Sequence, residues 1–283
     1  MDQSSISSVP LFDAYAPAQI AVRVRDVGVA KAAAPVLTTL ALAVLAGAFI
    51  SLGALFYIVT ITAGPGGSAG AFGLTRLAGG LTFSLGLVLV VVGGAELFTG
   101  NNLIAMAWAA RRITTAQVIR NWGWVYLGNL LGALGTAVLV WLAGVHTLED
   151  GAVGEMMARI ARTKASLDPL SALARGMLCN VLVCLAVWLC MGARSVADKI
   201  LAIIFPISAF VACGFEHSVA NMFFLPVGLA VAAGSGAPIP VGDAVDNLVL
   251  VTAGNILGGT VLVALVYWFV YLRKEGARLE ARG

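Results

Sequence analysis

The sequence predicts an all-α membrane protein with six transmembrane helices, built as two three-span halves of opposite orientation. Three observations lead to this fold class: the composition, six apolar stretches of spanning length, and a motif that occurs twice. Of the 283 residues, 60% are apolar and 11% are charged, whereas about 25% of a soluble domain is charged. A soluble domain of this size cannot bury so much apolar surface. The composition therefore argues against a soluble enzyme, a nucleic-acid-binding protein and a disordered chain.

Six stretches reach the roughly 20 mostly apolar residues that a transmembrane helix needs. They lie at about 34–61, 77–98, 117–144, 170–191, 199–230 and 246–272. Helix-breaking or charged runs separate them, among them Gly64-Pro65-Gly66-Gly67, Leu148-Glu149-Asp150-Gly151 and Gly234-Ser235-Gly236-Ala237-Pro238. No stretch alternates apolar and polar residues with a period of two, which disfavours a β-barrel.

The lysines and arginines are divided unevenly between the two sides of this arrangement. Twelve fall on the side that contains both termini, and five fall on the opposite side or its span ends. Cytoplasmic loops carry an excess of such residues, so both termini are predicted to be cytoplasmic. This gives a cytoplasmic N-terminal segment at 1–32, a six-span domain at 33–273 and a cytoplasmic tail at 274–283. The first 31 residues lack a short apolar core, and no cleaved signal peptide is expected.

The second and fifth spans share the motif G-x-E-x4-N. It begins at Gly94 and again at Gly214, and each copy is followed by a Gly-Asn pair, at Gly128-Asn129 and Gly254-Asn255. Two motifs in the same order indicate an internal repeat, with halves at about 33–145 and 169–273. Because each half has an odd number of spans, the halves have inverted orientation, and such proteins place their pathway at the interface between repeats, commonly with broken helices. Spans two and five are therefore predicted to be broken.

His217 is the strongest candidate for a functional residue, because ionisable groups inside a membrane mostly mark pathways. An imidazole ordinarily titrates near pH 6.5, so it can exchange a proton at physiological pH. Glu96 and Glu216 occupy matching repeat positions and are expected to accept hydrogen bonds from backbone N–H groups freed by the breaks. Asn129, Asn180, Asn221 and Asn255 are expected mainly to link helices. Lys164, taken from spacing alone, is an ordinary lysine in a loop before the fourth span.

The four cysteines lie in apolar stretches without metal-ligand spacing, and we expect buried free thiols with no disulfide and no zinc site. No metal or cofactor site is predicted. A membrane enzyme would need a convergent cluster of His, Asp, Glu or Cys, and one histidine with two glutamates is too little. A water or neutral-solute channel remains an alternative, although the Asn-Pro-Ala pairs typical of aquaporin-type half-helices do not occur here.

With these motifs in view, the chain resembles the formate/nitrite transporter family from about residue 14 to residue 273. The matching stretches are Gly94-Ala95-Glu96-Leu97-Phe98-Thr99-Gly100-Asn101, Asn121-Trp122, Gly128-Asn129-Leu130, Cys179-Asn180-Val181-Leu182-Val183-Cys184-Leu185-Ala186-Val187-Trp188, Ala212-Cys213-Gly214-Phe215-Glu216-His217-Ser218-Val219-Ala220-Asn221-Met222 and Gly254-Asn255-Ile256. The Phe-Glu-His-Ser stretch is the most specific of these.

The resemblance implies a homopentamer of aquaporin-like protomers in a bacterial inner membrane, each with its own pore for a small monovalent anion. Formate is the expected substrate, with nitrite and hydrosulfide as alternatives, and protons and membrane lipid are the other partners. His217 and Thr99 match the family's central polar pair, with Asn180 nearby and Lys164 at the outer vestibule. The matching apolar constrictions are Phe83 and Phe210 toward the cytoplasm and Leu87 and Val183 toward the outside.

The expected mechanism follows from the cost of moving an anion through an apolar constriction. The idealised cost of placing a monovalent ion in a medium of dielectric about 4 is of order 20 kcal/mol, which the neutral acid largely avoids. Lys164 is expected to concentrate the anion. His217, oriented by Thr99 or Glu216, is expected to supply or relay the proton. The family also suggests gating by the N-terminal segment.

Overall fold

The structure is a computed structural model that describes residues 13–62 and 72–273. Every regular element in these two ranges is helical. The first part of the chain forms α1 (Pro17–Ala33), α2 (Val36–Ile61), α3 (Phe72–Gly93), a 3-10 turn (Gly100–Ile104), α4 (Ala105–Ala109) and α5 (Thr115–Leu142). The second part forms α6 (Ala152–Ala165), α7 (Pro169–Gly192), α8 (Val196–Ala212), α9 (Ser218–Gly234) and α10 (Val241–Ile256), which continues to Leu272 with π-helical hydrogen bonding.

Five helices among the described residues are long and apolar enough to cross a membrane, namely α2, α3, α5, α7 and α10. The predicted fifth span is divided between α8 and the shorter apolar helix α9. The predicted all-α membrane fold is confirmed, while the count of six spans stays a prediction. The Gly64-Pro65-Gly66-Gly67 run and the tail at 274–283 lie outside the described residues.

The two parts of the chain correspond helix by helix. Helix α2 packs against α3 and α5, and α7 packs against α8 and α10 in the same way. Helix α1 lies against the helical segment that follows the first break, and α6 lies against α9, which follows the second. Each half therefore contains one more helix than the three predicted spans, with α1 and α6 in equivalent places.

The prediction of a loop before the fourth span is wrong, because Ala152–Ala165 forms helix α6. This helix is amphipathic, and it buries small and apolar residues on one face while it exposes its arginines on the other. A 14-residue helix with a charged face does not register in a search for apolar stretches of about 20 residues. Lys164 therefore lies in the last turn of a helix, in a fixed position.

Both predicted breaks are present and have the same geometry. Helix α3 ends at Gly93 and α8 at Ala212, and the next glycines, Gly94 and Gly214, have φ values of +79° and +72°. Glycine adopts this left-handed conformation without the steric cost that a Cβ brings. The residue after each glycine donates its N–H to a carbonyl five positions back, at 2.9 Å in the first break and 3.0 Å in the second. This hydrogen bond ends each helix inside the protein and provides a donor for one of its last carbonyl groups.

Candidate functional site

Two cavities approach the centre of the protein from opposite ends, and we name them after the helix that covers each. The α1-side cavity has a volume of about 280 Å³ and is lined by Lys31, Glu96 and Leu87, among others. The α6-side cavity has a volume of about 260 Å³, and Lys164 and His217 contribute to its lining. Within the described part of the chain the two cavities share no lining residue, so they are separate cavities.

The four residues expected to form constrictions are all buried, with at most 3% of each residue exposed. They are Phe83, Leu87, Val183 and Phe210. The rings of Phe83 and Phe210 meet edge to face, with centroids 5.5 Å apart. All four belong to one buried apolar cluster, and we call these four residues the apolar septum.

Phe83 and Phe210 were expected on the side opposite to Lys164, but they line the same cavity as this lysine. Phe83 and Phe210 line the α6-side cavity, and Leu87 lines the α1-side cavity. The direction of α3 explains the reversal, because this helix begins near Arg76 at the α6-side cavity and ends near Gly94 at the α1-side cavity. The earlier residue, Phe83, therefore lies nearer to Lys164. Val183 lines neither cavity, and Val187, one turn later in α7, lines the α1-side cavity instead.

His217 and Thr99 meet at the septum although 118 positions separate them in the chain. The Thr99 hydroxyl oxygen lies 2.9 Å from His217 Nε2. His217 precedes α9, and its Nδ1 accepts a hydrogen bond of 3.1 Å from the N–H of Ala220. A ring nitrogen that accepts an N–H bond carries no proton, so the neutral imidazole holds its hydrogen on Nε2 and donates it to Thr99. The ring also stacks on Phe210 at a centroid distance of 5.9 Å.

Glu216 contacts Lys164 rather than His217. Both carboxylate oxygens of Glu216 lie 2.9 Å from Lys164 Nζ, and the two side chains are only 6% and 13% exposed. Asn221 donates to the same carboxylate at 2.7 Å and to Asn247 at 2.8 Å. Asn247 in turn donates to the backbone carbonyl of Lys164 at 2.8 Å. This closed ring of hydrogen bonds fixes α6 against the start of α9.

The α1-side cavity contains the equivalent cluster. Lys31 Nζ lies 2.8 Å from Glu96 and 2.9 Å from the side-chain oxygen of Asn101. Asn101 donates to Glu96 at 2.6 Å and to Asn121 at 3.0 Å, and Asn121 donates to the Lys31 carbonyl at 3.2 Å. The side chains of Lys31 and Glu96 are 26% and 14% exposed, which is more than for their counterparts in the α6-side cluster. The repeat thus extends to a lysine–glutamate pair in each half.

The expected role of the glutamates as acceptors for freed backbone N–H groups is wrong, because asparagines take that role. Asn129 accepts from the N–H of Phe98, and Asn255 accepts from the N–H of Ser218, both at 2.9 Å. Asn129 and Asn255 also donate to the backbone carbonyls of the two glutamates, each at 2.9 Å. An amide both accepts and donates, whereas an ionised carboxylate only accepts. One asparagine can therefore satisfy both kinds of backbone group at a break.

Asn180 is fully buried and lines neither cavity. Its amide nitrogen donates to the side chain of Asn102 at 2.7 Å and to the carbonyl of Asn255 at 2.6 Å. It therefore ties the segment after the first break to α10. The structure thus places Asn180 within a hydrogen-bonded link between the two halves.

Several residues at the two cavities were not singled out from the sequence. They are Lys31, Asn121 and Asn247 in the ion-pair clusters, and Arg76, Arg159 and Arg175 in the lining of the α6-side cavity. The sequence repeat contains a signal for Lys31, because Lys31 and Lys164 are 133 positions apart. The same interval separates Ala43 and Gly176, whose carbonyls accept hydrogen bonds from the paired Asn129 and Asn255.

Cys213 is exposed, against the expectation of a buried thiol, while Cys179, Cys184 and Cys190 are buried.

Comparison with known proteins agrees with this arrangement. The family described as "Formate/nitrite transporter" matches residues 18–269. The formate channel FocA of Escherichia coli K12 is 43% identical over 279 residues, which cover 93% of this chain and 97% of FocA. A probable formate transporter of Methanothermobacter thermautotrophicus is 38% identical over 274 residues, covering 91% and 97% of the two chains.

Two solved structures have the same fold. A pentameric formate channel with formate bound gives a TM-score of 0.75 at 40% identity and covers 84% of this chain and 98% of that one. An ion channel of the same family gives a TM-score of 0.79 at 29% identity and covers 89% and 98%. The helices that could span a membrane, the two broken spans and these similarities lead to one conclusion: this chain is an integral membrane transporter of small anions, not an enzyme, and it belongs to the formate/nitrite transporter family.

Proposed function

We propose that this protein transports formate together with a proton, and that His217 provides the proton-exchanging group. The observation that carries the proposal is the hydrogen-bonded pair of His217 and Thr99, buried at an apolar septum between two cavities that both contain cations. The relatives named as formate channels support formate as the principal substrate.

The septum requires that the substrate loses its charge. Moving a monovalent anion into a medium of dielectric about 4 costs of order 20 kcal/mol in the idealised case. The neutral acid avoids most of this cost, and removal of water itself favours protonation of the carboxylate. Formate therefore crosses between Phe83, Phe210 and Leu87 as formic acid, and it releases the proton when it meets water in the opposite cavity.

The His217 ring limits how the proton can move. Its Nδ1 is occupied by the N–H of Ala220, so Nε2 is the nitrogen that faces Thr99 and the substrate. In the resting state the ring donates from Nε2 to Thr99, and the threonine hydroxyl can donate its own hydrogen to a substrate oxygen. To give a proton to the substrate, the ring must first take one up from water at Nδ1, where it displaces the bond from Ala220. The imidazolium can then pass its Nε2 hydrogen through Thr99, which leaves the ring neutral. Thr99 is the orienting partner, and Asn180 supports the position of the break through Asn102.

The similarity to a pentameric formate channel also supports a homopentamer in which each protomer has its own pore. The large apolar side chains that the protomer exposes, such as Phe205 and Leu142 at 75% each, would lie against lipid or a neighbouring protomer. The proposed location is the bacterial inner membrane, with both termini in the cytoplasm, as the uneven distribution of cations suggests. In that orientation the α1-side cavity faces the cytoplasm, and helix α1 borders it.

Flux of labelled formate into proteoliposomes that contain the purified protein tests this function. Nitrite, hydrosulfide and water permeation are measured in the same vesicles. We expect formate to cross fastest and to bring in one proton per molecule. Faster permeation by nitrite or hydrosulfide would instead identify one of those anions as the substrate, and rapid water flux without anion flux would contradict anion transport.

A further inference from the structure

The α6-side cavity has more positive charge than the lysine that the family resemblance singled out. Four cations contribute to its lining: Arg76, Arg159, Lys164 and Arg175. The carboxylate among the lining residues is that of Glu216, and both of its oxygens are bound to Lys164 Nζ at 2.9 Å. The charge of Lys164 is thus already compensated. The uncompensated positive charge of this cavity belongs to the three arginines.

The first arginine is held in place by the chain break. Arg76 of α3 donates from Nε to the carbonyl of Ala212 at 2.9 Å, at the end of α8. Its Nη2 lies where a Cβ on Gly214 would meet it at 2.8 Å, so the glycine leaves room for the guanidinium. Anchoring through Nε leaves the two terminal nitrogens with hydrogens to donate. Such a fork matches the two oxygens of a carboxylate.

The other two arginines extend the site toward solvent. Arg159 of α6 and Arg175 of α7 have exposed side chains, and neither forms a salt bridge with a carboxylate in the described ranges. The connecting residues 63–71 contain no aspartate or glutamate. Arg162, also on α6, is different, because it donates to the carbonyl of Ala237 at 3.0 Å and does not line the cavity.

We propose that Arg76, Arg159 and Arg175 form a carboxylate-binding site at the mouth of the α6-side cavity, and that this site also binds small dicarboxylates, which block transport. The proposal rests on the proposed function, because it assigns the capture of the anion to the arginines and leaves Lys164 a structural role.

The septum explains why a dicarboxylate blocks instead of crossing. The cavity of about 260 Å³ has room for a six-atom dianion such as oxalate together with water. One proton leaves such an ion with a negative charge, and the apolar septum still excludes it. Oxalate therefore occupies the arginine site without continuing along the pathway.

Binding of sodium oxalate to the purified protein in detergent, measured by calorimetry, tests the site directly. The principal variant is Arg159→Gln/Arg175→Gln, because both side chains are exposed and their loss does not disturb the core. Arg159→Gln alone is also measured, and its matched control is Arg162→Gln, with the same change of charge on the same helix. A second variant, Arg76→Gln, removes the anchored member. Formate flux into proteoliposomes is measured in parallel, with oxalate on both faces.

We expect oxalate to bind the wild type and to inhibit formate flux, and added salt to weaken its binding. The double variant should bind oxalate about tenfold more weakly and require a correspondingly higher formate concentration for half-maximal flux, with an unchanged maximal rate. Arg162→Gln should behave as the wild type.

Oxalate that fails to bind a wild-type protein which transports formate would overturn the site and leave the proposed function intact. Equal weakening by Arg162→Gln and Arg159→Gln would also overturn it, because the effect would then come from net charge alone. A wild-type protein that transports no formate would instead contradict the proposed function.

Discussion

Lys31 and Lys164 form the same interaction at opposite ends of the pathway, each holding a glutamate of a helix break at 2.8–2.9 Å. Lys31 lies in α1 and Lys164 in α6, and both helices are outside the predicted spans. Each glutamate is also bound by the asparagine five positions later. The two clusters fix helices α1 and α6 over the two cavities. They also neutralise the glutamates, which would otherwise repel an entering anion.

The pair of Lys164 and Glu216 should be required for stability and not for anion capture. Lys164→Met leaves a carboxylate that is 6% exposed without its cation, and breaking such a buried pair costs about 3–5 kcal/mol. We expect a marked loss of thermal stability in detergent. The double variant Lys164→Met/Glu216→Gln removes both charges, and it should recover most of that stability together with formate uptake at low concentration. A double variant as unstable as the single one would contradict this assignment.

The mirrored variant Lys31→Met tests the same principle at a more exposed pair. Its two side chains are 26% and 14% exposed, so solvent screens the remaining charge better. The loss of thermal stability should therefore be smaller than for Lys164→Met. A larger loss of thermal stability for Lys31→Met would show that burial does not determine which of the two pairs contributes more to stability.

Asn129 and Asn255 should each be indispensable for the geometry of a break. In Asn255→Asp the carboxylate can still accept from Ser218, but it cannot donate to the carbonyls of Gly176 and Glu216. Leaving two buried carbonyls without donors costs about 1–3 kcal/mol each. Unfolding measured by fluorescence should show a large loss of stability for Asn255→Asp. We expect an equivalent loss for Asn129→Asp. Serine substitution of the exposed Ala116 provides a control for handling, and a wild-type melting curve for Asn255→Asp would contradict the proposed role.

Gly94 and Gly214 offer a test of the two breaks with nearly identical backbone strain. Alanine at a positive φ costs about 1–2 kcal/mol. At Gly94 a Cβ has no neighbour within 4 Å, whereas at Gly214 it would meet Arg76 Nη2 at 2.8 Å. Both variants should lose stability to a similar degree, and Gly214→Ala alone should weaken oxalate binding. Equal oxalate affinity in the two variants would show that the position of Arg76 does not matter.

The sequence predicted the elements that have a strong local pattern. Apolar stretches identified the membrane helices, and the repeated Gly-x-Glu motif identified both breaks. Residues near the break could also be matched, since His217 and Thr99 are in contact as the resemblance implied.

What could not be predicted depends on contacts between distant parts of the chain. Helix α6 was missed because its 14 residues are stabilised by packing against α9 and not by length or hydropathy. The position of Phe83 in the same cavity as Lys164 follows from the direction of α3 between the two cavities, which composition does not reveal. The sequence also did not reveal that the asparagines, and not the glutamates, bind the backbone at the breaks. The glutamates instead bind Lys31 and Lys164, which reach them only in the folded protein.

The most direct test of the central claim compares His217→Asn with the wild type. Asparagine is a good helix N-cap, so this variant can keep the hydrogen bond from Ala220 and the start of α9, but it cannot take up a proton. His217→Phe removes both properties and serves as the comparison for loss of the cap. The measurement is the uptake of labelled formate and of protons by proteoliposomes across a range of external pH.

We predict that wild-type uptake brings in one proton per formate and depends on pH. The asparagine variant should be folded, and it should have lost this proton-coupled uptake, retaining at most a small anion leak that is insensitive to pH. Proton-coupled uptake with an unchanged pH profile in His217→Asn would show that the imidazole is not the proton-exchanging group.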